Sequence, residues 1–185
     1  MPALATWAPE DGVLGAVAPL ALATTQPTAL VVDLDPRGPN YPSARSLREL
    51  VTDGPRAADL SPARAGVALL ANGGIGSEDS RDLVDLLLRG WPAVVLRLAS
   101  QAPDDVPAPI VPVHLLTPGR LFPPQGRGVY QPIAAGSRVR RRLEAEGSLV
   151  LPAAPRRVVR ALLEGSRPVA SRWSAAWRRV WGASW

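Results

Sequence analysis

Two aspartates, Asp33 and Asp35, close an apolar run that reads Thr28-Ala29-Leu30-Val31-Val32-Asp33-Leu34-Asp35-Pro36-Arg37-Gly38. This is the pattern of a buried parallel strand that delivers carboxylates to the edge of an α/β sheet. Acids at such an edge serve a bound nucleotide, or they cap and pair structurally, with Arg37 and Arg97 as the available cations. A second group, Glu10-Asp11-Gly12-Val13-Leu14-Gly15-Ala16, lies between a short apolar stretch and a run of small apolar residues. A strand-to-helix turn there would be a natural anion site, except that two carboxylates occupy it. Gly73-Gly74-Ile75-Gly76 also joins an apolar run to a helical pattern, but Glu78 and Asp79 follow at the anion-favouring end, so it reads as a tight turn capped by Ser77.

Other chemistries are excluded by residue type. The chain has no cysteine and one histidine, so neither disulfides nor thiolate or His-rich metal sites are available. His114 sits inside Ile110-Val111-Pro112-Val113-His114-Leu115-Leu116 and reads as a strand-end residue, with no nucleophilic constellation around it. All 21 basic residues are arginine, so no step can use a lysine side chain. Abundant Ala, Pro, Gly and Arg suggests high-GC coding of the actinobacterial type. The net charge of +5 suits anionic partners without selecting among them. Neither a membrane span nor a signal peptide is expected: Ala16–Thr25 is apolar but short, and it follows Glu10-Asp11. A cytoplasmic protein is the resulting expectation.

The elements that must position these residues alternate. Strands are expected at Ala3–Trp7, Thr28–Asp35, Gly66–Ala71, Ala93–Leu98 and Ile110–Leu116, with shorter ones at Val129–Ile133 and Leu149–Leu151. Helices are expected at Val13–Ala23, Tyr41–Val51, Ser77–Arg89, Arg138–Glu146, Arg156–Leu163 and Val169–Trp181. This alternation implies one α/β domain over residues 1–185: a three-layer structure with a mostly parallel sheet, helices on both faces and extra C-terminal helices.

Taken together, the turn at residues 10–16, the small-residue helix and Val31-Val32-Asp33-Leu34-Asp35-Pro36 resemble the start of ParA/MinD-type ATPases, which have a P-loop NTPase fold. In that family a strand enters a deviant Walker A loop, K-G-G-V-G-K-T, and a later strand ends in a D-x-D-P-type motif. The resemblance covers about the first hundred residues. It aligns Glu10 with the signature lysine, Asp11 with a glycine, Leu14 with the next glycine, Gly15 with the phosphate-binding lysine and Ala16 with the magnesium-binding hydroxyl; only Gly12 and Val13 match. Trp91-Pro92-Ala93-Val94-Val95-Leu96-Arg97-Leu98 resembles the Walker B strand, with Arg97 where the magnesium-linked aspartate belongs. A P-loop works because open backbone N–H groups, a helix start and a lysine surround phosphate oxygens. With both cations and the hydroxyl lost, the resemblance implies a degenerate nucleotide site at Glu10, Asp11, Gly12, Gly15, Ala16, Asp33, Asp35 and Arg97. No catalysis, cofactor or metal is then expected. The implied role is a scaffold or localisation adaptor like the atypical TadZ/CpaE-type members, pairing with itself, another protein or an ATP-competent relative. The alternatives are an ATPase with unconventional phosphate contacts from Arg97 and the Gly73–Gly76 turn, and a membrane- or DNA-surface binding module acting through the Arg/Trp C-terminus.

Residues 166–185 form a distinct feature. Trp173, Trp177, Trp181 and Trp185 recur every fourth residue and span roughly a 120° stripe of a helix, with Arg172, Arg178 and Arg179 off its centre. Such a helix buries its indoles within the protein or against a partner, or lies at a membrane surface, peripheral to its inner face. Arg138-Val139-Arg140-Arg141-Arg142, Arg156, Arg157 and Arg160 read as solvated basic faces or phosphate-backbone contacts. Sequence-specific nucleic-acid binding is not expected.

Overall fold

A computed structural model describes residues 2–38, 41–101, 105–117, 127–133, 136–166 and 170–185. Seven strands form one sheet: β1 (Ala3–Trp7), β2 (Thr28–Asp33), β3 (Gly66–Leu70), β4 (Val94–Arg97), β5 (Ile110–Leu116), β6 (Val129–Pro132) and β7 (Leu149–Val150). Their order is β3-β2-β4-β1-β5-β6-β7, and every pairing is parallel. Parallel strands need crossovers, which place helices over both faces and turn the strands into apolar runs.

Alternation along the strands divides the core. Ala29, Val31, Ala93, Val95, Val111 and Val113 face one side. There they meet α1 (Gly12–Ala23), α6 (Arg156–Leu163) and the C-terminal α7 (Arg172–Ala176) and α8 (Arg178–Trp181). Leu30, Val32, Val94 and Leu96 face the other side, against α2 (Leu47–Asp53) and α4 (Arg81–Gly90). A short α3 (Ala57–Leu60) adjoins α4. A smaller cluster joins Leu143 of α5 (Ser137–Ala145) to Leu116, Tyr130 and Val150. The result is the expected three-layer α/β architecture.

α1 is buried along almost its whole length, which explains its small residues, and it accommodates Pro19 within the helix. The backbone N–H of residue 19 is the group such a helix forgoes there.

Two boundaries differ from expectation for local reasons. α2 begins at Leu47 rather than Tyr41, because Ser46 and Glu49 form a reciprocal capping box. α4 begins at Arg81, with Ser80 rather than Ser77 at the cap position, and the Ser80 hydroxyl donates back to the carbonyls of Gly76 and Ser77.

The C-terminal segment departs furthest. Instead of one amphipathic helix over Val169–Trp181 there are two short ones, broken at Trp177; Val169 lies outside the described residues. Trp173 and Trp177 are 1% and 0% exposed, so they do not form an interaction surface. They meet edge to face at 5.7 Å inside the core that covers α1, and the Trp173 indole donates to Gln131 Oε1 at 2.6 Å. Trp181 and Trp185 are partly buried; Trp181 donates to Thr25 Oγ1 at 2.9 Å and Trp185 to the Val180 carbonyl at 2.7 Å. Only Arg172, Arg178 and Arg179 of that segment's expected surface are exposed. Indoles worth several kcal/mol of burial are placed in the core when a sheet face offers them room.

Candidate functional site

β1, β4 and β2 are neighbours, with Thr6 beside Arg97 and Arg97 beside Asp33. These three side chains continue the rows that face α1, so they meet at the carboxyl edge of the sheet beneath the start of that helix. Arg97 spans the two acids: Nη1 donates to Asp33 Oδ2 at 2.8 Å and Nη2 to Asp35 Oδ2 at 2.9 Å. Arg97 is 3% exposed and Asp33 0%, with Asp35 at 16% on the outer rim.

The remaining acceptor positions are also used. Asp33 Oδ1 accepts from the Asp35 N–H at 2.9 Å, and Asp35 Oδ1 accepts from the Arg37 N–H at 3.0 Å. A buried charge is tolerable only when paired and hydrogen-bonded, and this cluster meets both conditions. Burial still dominates at Asp33, pushing its carboxyl up to about 6 against the pull of Arg97.

Two residues that the sequence did not point to complete the cluster. The Tyr41 ring lies 5.5 Å from the Arg97 guanidinium carbon, and its hydroxyl donates to the Ala16 carbonyl at 2.7 Å. Burial pushes that hydroxyl's pKa upward, so it acts as a neutral donor. Gly38 closes the rim: a Cβ there would stand 2.0 Å from Arg97 Nη2 and 2.5 Å from Asp35 Oδ2. Tyr41 fell within an expected helix, and only the tertiary contact with α1 reveals its place. The glycine at the end of the Asp35-Pro36-Arg37-Gly38 turn was the one available signal for the other.

The turn after β1 is not a cradle. Asp11 is the N-cap of α1, its Oδ1 accepting from the Leu14 N–H at 2.6 Å, so a resident carboxylate holds the position an anion would take. A Cβ on Gly12 would meet nothing within 4 Å, and one on Gly15 only ordinary contacts with Ala8. The surrounding protein crowds neither glycine. Glu10 points elsewhere, with Oε1 3.6 Å from His114 Nδ1 on β5. Of the eight residues expected at a degenerate site, Asp33, Asp35, Arg97 and the backbone of Ala16 therefore come together. Asp11 caps α1 and Glu10 reaches toward β5.

Gly73 and Gly74 both have positive φ, 76° and 79°, where side chains are strained. Asn72 closes this turn from within, donating to the Asp33 carbonyl at 3.2 Å and accepting from the Ile75 N–H at 2.8 Å. Among the described residues, no group of three or more His, Cys, Asp or Glu could hold a metal ion.

Fold and site define an α/β protein with an all-parallel seven-stranded sheet whose carboxyl edge is closed by a buried carboxylate–guanidinium–carboxylate cluster. No protein-family model matches the chain, and no curated protein matches it. No described helix is long and apolar enough to cross a membrane.

Proposed function

We propose that this chain is a non-catalytic ParA/MinD-like scaffold or localisation adaptor, acting through protein–protein contacts with itself, another protein or an ATP-competent relative in a mixed dimer. What carries the proposal is Arg97. For one magnesium–nucleotide to touch both a Walker A loop and a Walker B acid, the strands that carry them must be neighbours. β1 and β4 are neighbours, and the residue at the second position is a cation locked between Asp33 and Asp35. A guanidinium there repels a divalent ion and leaves neither acid free to ligate one.

The cap at Asp11 supports the same reading, since an anion would have to displace a carboxylate. The ATPase alternative needs Arg97 and the Gly73–Gly76 turn to hold phosphate. Arg97 is committed to two carboxylates, and the turn is closed by Asn72. Calorimetric titration of the full chain with ATP and magnesium is expected to give no binding heat at micromolar concentrations. Saturable micromolar binding would overturn the proposal.

A further inference from the structure

We infer that the open edge of β3 is a docking groove for an extended peptide segment of another protein, which would add to the sheet as a strand. This surface is separate from the nucleotide question and does not depend on it.

β3 is the terminal strand on its side of the sheet, bonded only to β2 among the seven strands. The Gly66 N–H donates to Pro27 on the β2 side at 2.9 Å. Alternation then directs the backbone groups of Ala68 and Leu70 toward β2, and those of Val67 and Leu69 away from it. Ala71 fits this frame, because its carbonyl accepts from the Leu47 N–H at 2.8 Å on the outer side. Ser46 forms a parallel bridge with Ala71, so the next strand position is already occupied at the carboxyl end of the edge. Among the described residues, no strand continues the ladder below that bridge.

A cavity of about 300 Å³ lies alongside. Val67 and Leu69 from one face of β3, and Ala68 and Leu70 from the other, all border it. Leu30 of β2 and Leu50 of α2 line it as well, so the space runs from the β3 edge onto the sheet face that α2 covers. Its outer wall is formed by residues 43–45 and by residues from α3 to Gly66. That wall favours a single extended chain over the edge of a second sheet, which would have to pass through it.

The strand's own residues carry no deterrent to pairing, and the covering segments leave a cavity beside them. Gly66-Val67-Ala68-Leu69-Leu70 has no charge, no proline and no bulge, and Val67 is 36% exposed. One feature of the lining indicates the occupant's chemistry. Arg64 makes no ion pair among the described residues, whereas Arg45 is held by Asp53 and Asp59. An acidic side chain on the incoming strand would complement Arg64. Backbone hydrogen bonds would supply affinity, and side chains on alternate positions would supply selectivity.

The test is selection of a phage-displayed library of random decapeptides on the full chain. The expected result is an enriched, acid-containing pool whose synthetic peptides bind wild type and shift the Val67 and Leu69 amide resonances. Val67→Pro removes an N–H that does not serve the β2 ladder, so it should keep the wild-type melting temperature and lose peptide binding at least tenfold. A control on the unmodified protein uses peptides N-methylated at alternate residues in either frame: one frame should abolish binding and the other should not. An empty selection, equal binding to Val67→Pro, or indifference to the methylation frame would each overturn the inference. So would dimerisation through β3 in the absence of peptide, measured by sedimentation and abolished by Val67→Pro.

Discussion

At the scale of single residues, Arg97 holds Asp33 and Asp35 together at the carboxyl edge of the sheet. Removing the cation leaves a fully buried carboxylate without its partner, and breaking a buried pair costs about 3–5 kcal/mol. Arg97→Met is therefore expected to lower unfolding free energy by that order in urea denaturation. The double variant Arg97→Met with Asp33→Asn should recover part of the loss; a double variant as unstable as the sum of the singles would show that the pair is not coupled. Asp33 also gives a pH signature. Its folded value of about 6 lies above the unfolded one, so between roughly pH 4 and 6 the native state holds a proton that the unfolded chain has released. The stability contributed by this group is highest at the acid end and falls as pH rises to about 6. The difference in unfolding free energy between wild type and Asp33→Asn, followed from pH 4 to 7, should show that slope. A flat difference would mean that Arg97 compensates fully. Gly38 belongs to the same cluster, since any side chain there must displace Arg97 from Asp35.

At the scale of elements, the sequence was most legible where burial is uniform and least where burial depends on distant partners. β1 and β5 fall at Ala3–Trp7 and Ile110–Leu116, as their apolar runs indicate, because a strand buried on both faces has no competing pattern. The acids at the end of β2 were legible in the sequence, with Arg97 as an available cation. What filled the site was not visible, because Tyr41 reaches Ala16 and Arg97 only through the fold. The tryptophan spacing marks recurrent apolar positions, but periodicity cannot say which surface they meet or whether one helix carries them all. The break at Trp177 places the buried indoles against α1 and leaves the arginines outside. Trp177→Ala should cost about 3–5 kcal/mol, as large-to-small core changes do, and Trp181→Ala, at a partly exposed position, clearly less. Equal and small losses in thermal or chemical denaturation would return the stripe to the surface.

At the scale of the whole molecule, strand order determines more than the location of the edge. β1 lies between β4 and β5, so Ala3 pairs with Val94 and Ala5 with Ile110. The strand that begins the sheet thus finds both neighbours only in segments far along the chain, and each closure must precede the contacts that reward it. Local helix formation cannot substitute, because α1 needs the finished sheet beneath its small side chains. Refolding followed by stopped-flow fluorescence is expected in milliseconds to seconds, the range of domains dominated by non-local pairing; a microsecond main phase would contradict it. A chain arranged in this way acquires its central strand late, and until then Ala3–Trp7 is an unpaired apolar segment. The time spent before that pairing is when the molecule is most exposed to aggregation.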